Sequence, residues 1–214
     1  MYAHEPVRRG LHIGGVVGLL LAGGCGREQA DEICPPVGVG DLVVSEIRGS
    51  QADANSNLDQ GEWIELYNAS GGEVDLHGLH LRFVRLDGSG EGRVIVRRSL
   101  VVAAGDRAVL SFFGDDVRPV HADYGWFPDF LTSSGTAQSI HGSGVIDVVA
   151  CDLRIDRVRT DGLPTAGTWA LGVEPPDATT NDDPAAWCVD ATDDADPTTI
   201  GLPGTPGASN PPCP

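Results

Sequence analysis

From Leu42 onward the apolar residues come in short runs, each closed within a few positions by Gly, Pro, Asp or Asn, and no stretch carries the periodicity of an amphipathic helix. That punctuation restricts the chain to strands and turns, and the spacing of the runs predicts an all-β sandwich. The turns are supplied by 29 Gly and 15 Pro among 214 residues, and an apolar share of 41% is enough for a sizeable core. Residues 42–47 open the series as a buried strand. Residues 62–68 follow, with Trp63, Glu65 and Tyr67 expected on one face and Ile64 and Leu66 on the other. Leu79, Leu81 and Phe83 alternate, and Asp87-Gly88-Ser89-Gly90 is a hairpin turn leading to a strand over 94–96. Further strands are expected over 100–102 and 108–113, then near 137–140, 145–150, 168–171 and 186–189, with 114–135 as a loop.

Charge narrows the partners. Fourteen basic residues, all Arg, stand against 31 acidic ones, for a formal net charge of −17. Such a chain lacks the basic surface that phosphate contacts need, so no nucleic-acid partner is expected. The excess suits a soluble surface and is compatible with divalent cations.

At the N-terminus Arg8 and Arg9 precede an apolar stretch, 11–22, broken only by His12. A charged segment followed by about 7–15 apolar residues reads as a secretory signal, whereas a spanning helix needs about 20. The stretch runs into Leu20-Leu21-Ala22-Gly23-Gly24-Cys25-Gly26. Small residues directly before a Cys resemble the lipobox of bacterial lipoproteins, and the resemblance implies a diacylglyceryl group on Cys25, which becomes the new N-terminus. Residues 1–24 are then a lipoprotein signal peptide, and 25–40, polar and afterwards Pro- and Gly-rich, a tether. The expected location is the bacterial cell envelope, at the outer membrane or cell surface, held through the lipid anchor.

Cysteine arithmetic agrees. Five Cys would leave one thiol over in an oxidising compartment, and giving Cys25 to lipid leaves Cys34, Cys151, Cys188 and Cys213 as an even set with three pairings. None sits in a C-x-x-C or a Cys/His cluster, which argues against zinc. Cys34 and Cys213 flank the folded region while Cys151 and Cys188 lie near its late strands, so Cys34–Cys213 and Cys151–Cys188 are the expected disulfides.

Four segments carry a further likeness: Val43-Val44-Ser45-Glu46-Ile47; Glu62-Trp63-Ile64-Glu65-Leu66-Tyr67-Asn68; Val74-Asp75-Leu76-His77-Gly78-Leu79-His80-Leu81; and Gly204-Thr205-Pro206-Gly207-Ala208-Ser209-Asn210. In that order they resemble the lamin-tail domain, an immunoglobulin-like β-sandwich of nuclear lamins and of many exported bacterial proteins. His77 and Leu79 stand where that family has a Ser and an aromatic residue. The resemblance covers 41–210, leaves 211–214 as a C-terminal tail, and implies an architecture and an export habit but no reaction.

Candidate chemistry is sparse. His77, His80, His121 and His141 read as surface or turn histidines; His77 and His80 lie in a turn–strand segment rather than on one helix face. Glu62 and Glu65 fall on opposite faces of their strand, so they are not a catalytic pair. In the loop Asp53-Ala54-Asn55-Ser56-Asn57-Leu58-Asp59, oxygen donors recur at every second residue, as in the first half of a calcium loop. Leu58 and Ile64 occupy the places where an EF-hand needs Gly and Glu. A non-EF calcium site on Asp53, Asn55, Asn57 and Asp59 stands beside a plain turn-rich loop. The expectation is a non-catalytic, lipid-anchored binding or structural module with an unknown protein or glycan of the envelope as partner. The alternatives are a calcium-dependent adhesive module and a secreted hydrolase.

Overall fold

The structure, a computed structural model, describes residues 32–51, 61–116, 118–127, 130–132, 140–192 and 203–214. Residues 32–214 form one compact unit. Among the described residues the regular elements are strands and one short 3₁₀ turn, Pro184–Ala186, and no helix is long and apolar enough to cross a membrane. Two large sheets are built. The six-stranded one runs in the order β13 (Trp187–Asp190), β12 (Thr168–Leu171), β1 (Leu42–Arg48), β2 (Trp63–Asn68), β7 (Arg107–Ser111), β8 (Tyr124–Gly125). The five-stranded one runs β11 (Leu153–Asp161), β10 (Ser143–Ala150), β4 (Leu79–Arg85), β5 (Gly92–Ile95), β9 (Phe130–Thr132). A small ribbon pairs β3 (Val74–Asp75) with β6 (Val101–Val102). All described pairings are antiparallel except β7 with β8.

Both sheets feed one core. Leu42, Val44, Ile47, Ile64 and Leu66 from the first sheet meet Leu79, Leu81, Phe83, Ile146 and Val148 from the second, all buried in a single cluster. Alternation along a strand produces this: side chains at every second position point the same way, so each strand gives one row to the interior. The split expected for 62–68 is present. Ile64 and Leu66 join the main core, whereas Trp63 packs on the other side with Val109 and Ala122. The 87–90 hairpin joins β4 to β5 as the sequence indicates.

Three differences have physical causes. β11 stands where no strand was expected, because a register shift between Val148 and Val149 disturbs the alternation of its pairing. Its inward side chains include the polar Asp156 and Thr160, and only Ile155 and Val158 mark the core in the sequence. Strands β8 and β9 lie within the expected 114–135 loop and are too short, two and three residues, to leave a pattern.

The third difference corrects the disulfides. Cys34 bonds Cys151 and Cys188 bonds Cys213, with Cα–Cα distances of 5.6 Å in both. Cys151 sits at the β10–β11 turn of the five-stranded sheet, and Cys188 lies on β13 of the six-stranded one. The two late cysteines therefore belong to different layers, and nearness in sequence did not make them partners. Residues 34–40 already lie on the fold: Val37 is in the core and the Gly40 N–H donates to Ile155 O at 2.9 Å. Gly78, at φ +90°, explains why that segment can approach, since a Cβ there would stand 2.0 Å from the Ile33 carbonyl oxygen.

Candidate functional site

Segments distant in the chain converge on the outward side of β1 and β2. All seven residues of β1 are buried, and among them is Glu46, directly opposite Glu65 of β2. Like charges facing each other across strands repel, so this pair needs partners or protons. The closing segment supplies partners. Gly207 N–H donates to Glu65 Oε2 at 2.7 Å and Thr205 N–H to Glu46 Oε1 at 3.1 Å. Ser45 Oγ donates to Glu65 Oε1 at 2.6 Å, and the Thr168 hydroxyl donates to Glu46 Oε1. Arg107 Nε stands 3.2 Å from Glu65 Oε1, while its Nη2 reaches Glu174 Oε1 at 2.7 Å. Asn210 fastens the end of the segment, its Nδ2 donating to Ser45 O at 2.8 Å and Leu171 O at 3.2 Å. Gly204, at φ +145°, makes the approach possible, because a Cβ there would lie 2.7 Å from Thr168 Cγ2 and 3.0 Å from Glu46 Oε1.

The electrostatics follow from this burial. Loss of water pushes the Glu46 carboxyl up to about 8, the Glu65 charge adds to the rise, and the Thr168 and Thr205 bonds only partly oppose it. Glu65 is raised to about 7, again by burial first, with Ser45, Gly207 and Arg107 pulling it down. At neutral pH the cluster therefore retains a proton. Glu46 and Glu65 are both fully buried, and a substrate would have to displace residues 204–210 to reach them. What the arrangement does chemically is clamp the closing segment onto the sheet.

A second polar knot ties the layers. Asp156 Oδ2 on β11 accepts the Val44 N–H and Asn181 Nδ2, both at 2.8 Å, and burial raises its carboxyl. A third lies on the outward face of the five-stranded sheet. There Asp147 accepts Arg157 Nε at 2.6 Å and Arg82 Nη1 at 3.0 Å. Burial works against its charge, but the two guanidinium groups hold it below the ordinary carboxylate value. Beside it Glu32, His80, Arg82, Arg93, Val149, Cys151 and Asp152 line a small open cavity of ≈170 Å³. Burial, and then Arg93, hold the His80 imidazole below its usual value, although Glu32 pulls the other way.

Of the residues singled out in the sequence, Cys25 and the loop residues Asp53, Asn55, Asn57 and Asp59 lie outside the described residues. Among the described residues no group of three or more His, Cys, Asp or Glu could hold a metal ion. His77 stays in its turn, its N–H donating to Asp75, while His80 faces the cavity. His121 packs edge-on to Trp63, and His141 Nε2 lies 2.7 Å from Gly90 O in the hairpin region. Glu62 and Glu65 stay apart: Glu62 accepts the Ile140 N–H, while Glu65 belongs to the clamp. Glu46 was the residue missed. Its signal is a carboxylate in the middle of the apolar run 42–47, where a surface position would not be expected. Comparison with protein-family models, curated proteins and solved structures finds no match.

Proposed function

We propose that the chain is an exported lipoprotein, anchored through Cys25 to the bacterial envelope, whose lamin-tail-like, immunoglobulin-like sandwich is a non-catalytic binding or structural module. The observation that carries the reading is the disulfide set. Four cysteines close two disulfides within the compact unit, which suits an oxidising compartment and leaves Cys25 as the odd one, behind small residues. The lamin-tail likeness gains support from where its motifs lie: the first, second and last of the four meet at the Glu46–Glu65 clamp. A binding or structural role suits a clamp whose carboxylates are sealed under the closing segment.

Detergent-phase partition of the full chain tests the anchor. The wild type is expected in the detergent phase, and Cys25→Ala in the aqueous phase or stalled as precursor. A wild type found wholly in the aqueous phase ends the lipoprotein reading.

A further inference from the structure

The closing segment, Gly204-Thr205-Pro206-Gly207-Ala208-Ser209-Asn210, brings no apolar side chain larger than proline to the six-stranded sheet. Hydrogen bonds fasten it instead. Three of its backbone N–H groups end on carboxyl oxygens: Thr205 on Glu46, Gly207 on Glu65, and Asn210 on Glu174 at 3.1 Å. A segment with so little buried apolar surface opens locally at lower cost than the core beneath it.

The Thr205 hydroxyl shows what keeps it closed. Its Oγ1 lies 2.9 Å from Asn210 Oδ1, 3.0 Å from Asp190 Oδ2 and 3.4 Å from Glu46 Oε2. Asn210 Nδ2 donates to the Ser45 and Leu171 carbonyls, which fixes the amide, so the Oδ1 turned to Thr205 can only accept. Three acceptors thus surround a hydroxyl that has one hydrogen. A proton on Glu46 Oε2 turns one of these rivals into a donor to Thr205 Oγ1 and leaves the threonine hydrogen for Asp190 or Asn210. Glu46 is the carboxyl placed for this. Its Oε1 already accepts the Thr168 hydroxyl and the Thr205 N–H, and Glu65 faces it across the strands. Of the charged groups around it, Glu65 of β2 and Asp190 of β13 oppose its ionisation. Arg107 of β7 pairs with Glu65 and Glu174, and Arg48, on the same side of β1, donates to Gly61 O at 2.8 Å.

We infer that residues 203–210 form a proton-held strap, closed while Glu46 carries a proton and released when it loses it, with the sandwich beneath still folded. Once ionised, Glu46 shares a single hydroxyl hydrogen with Asp190 and Asn210 and adds a charge beside Glu65. The Thr205 N–H favours the ion, but loss of water and the Glu65 carboxyl outweigh it. The Cys188–Cys213 disulfide keeps a released strap attached to β13, so it can close again. Opening bares Glu46, Glu65 and the edge of Trp63 beneath Gly204, where a Cβ would stand 3.1 Å from Trp63 Cζ2. The module thus carries a surface hidden in acid and offered in base. Nothing in this device depends on the lipid anchor.

Amide hydrogen exchange of the full chain from pH 5 to pH 8, corrected for the chemical rate at each pH, tests it. The reference is β4, the middle strand of the five-stranded sheet. The Thr205 and Gly207 amides are expected to open roughly tenfold or more above those of β4, as a locally released segment does. Closed, Glu46 titrates near 8, and open it returns toward 4.5, so each opening between those values releases a proton. Glu65 is raised as well, so the quantity read is the ratio of opening in the wild type to opening in Glu46→Gln, from which Glu65 cancels. The glutamine keeps an acceptor for Thr168 and Thr205 and offers N–H donors to the Thr205 hydroxyl at every pH. That ratio should grow about tenfold for each pH unit between about 5 and 8. A ratio constant with pH puts the proton elsewhere and overturns the proposal. So does strap protection equal to that of β4 throughout, because the segment then opens only when the whole chain unfolds. Should Glu46→Gln fail to fold, the wild type alone decides: strap protection that does not fall as pH rises overturns it.

Discussion

In the six-stranded sheet Glu46 and Glu65 face each other beneath residues 204–210; in the five-stranded sheet Asp147 faces Arg82 and Arg157 on a side open to water. All three carboxylates are buried. Their titration differs in direction: Glu46 and Glu65 are raised, Asp147 is lowered. Desolvation is the largest influence on each, so burial alone does not set the outcome. Two guanidinium groups in contact reverse it for Asp147. Glu46 has hydroxyls, a backbone N–H and a second carboxylate around it, and one cation, Arg107, reaches only Glu65. One sheet is therefore held by a retained proton and the other by arginine, which is why pH should act on them in opposite senses.

The largest expected effect concerns the disulfide on each side. Cys34–Cys151 closes 117 residues and ties the entering chain to the five-stranded sheet, whereas Cys188–Cys213 closes 25 and ties the last residues to the six-stranded one. In the chain-entropy model their removal costs about 5 and about 3.5 kcal/mol respectively. Denaturant unfolding of Cys34→Ser/Cys151→Ser and Cys188→Ser/Cys213→Ser should show that order. Non-reducing peptide maps should show the same two links, and a Cys34–Cys213 peptide would refute the layer assignment.

Next comes the proton. Glu46 titrates near 8 in the fold and near 4.5 unfolded, so between those values the unfolded chain has released a proton that the fold still holds. Stability is unaffected by this group below about pH 4.5 and falls as pH rises toward 8, by a few kcal/mol at about 1.4 kcal/mol per unit. Asp147, lowered, works the other way: its contribution is present above its unfolded value of 3.8 and is lost as pH falls through its folded value. The wild type should melt several degrees higher at pH 5 than at pH 8.5, and Glu46→Gln, neutral at both, should flatten most of that slope. A wild-type melting temperature that does not change over this range would show that the clamp holds no proton.

The smallest effect sharpens the other half of the comparison. Removing both cations with Arg82→Met/Arg157→Met should cost about 1–2 kcal/mol, discounted for their exposure of 32% and 43%, while either change alone costs less because the other guanidinium remains. Carboxyl NMR titration of the double variant should find Asp147 raised, as Glu46 is. An unmoved Asp147 would mean that the arginines are not what sets its charge.

Local pattern was enough for much of this molecule. The alternation of Leu79, Leu81 and Phe83, the facing of Ile64 and Leu66 away from Trp63, and the turn at 87–90 are visible in sequence because a strand repeats every two residues and turns need particular backbone angles. Glu46, a carboxylate within the apolar run 42–47, was passed over in the sequence, and nothing local says what it meets. That depended on Thr205, 159 positions away, and on Glu65, whose own partner Gly207 lies 142 positions beyond it. β11 was hidden because a register shift and buried Asp156 and Thr160 disturb its period, and it is pairing with β10 that makes it a strand. The disulfides were decided by which sheet each cysteine joined, a property of strand order that spacing along the chain does not encode. Periodicity is a local consequence of backbone geometry; partners across a sheet, between layers and under a closing segment are chosen only when the whole chain has folded.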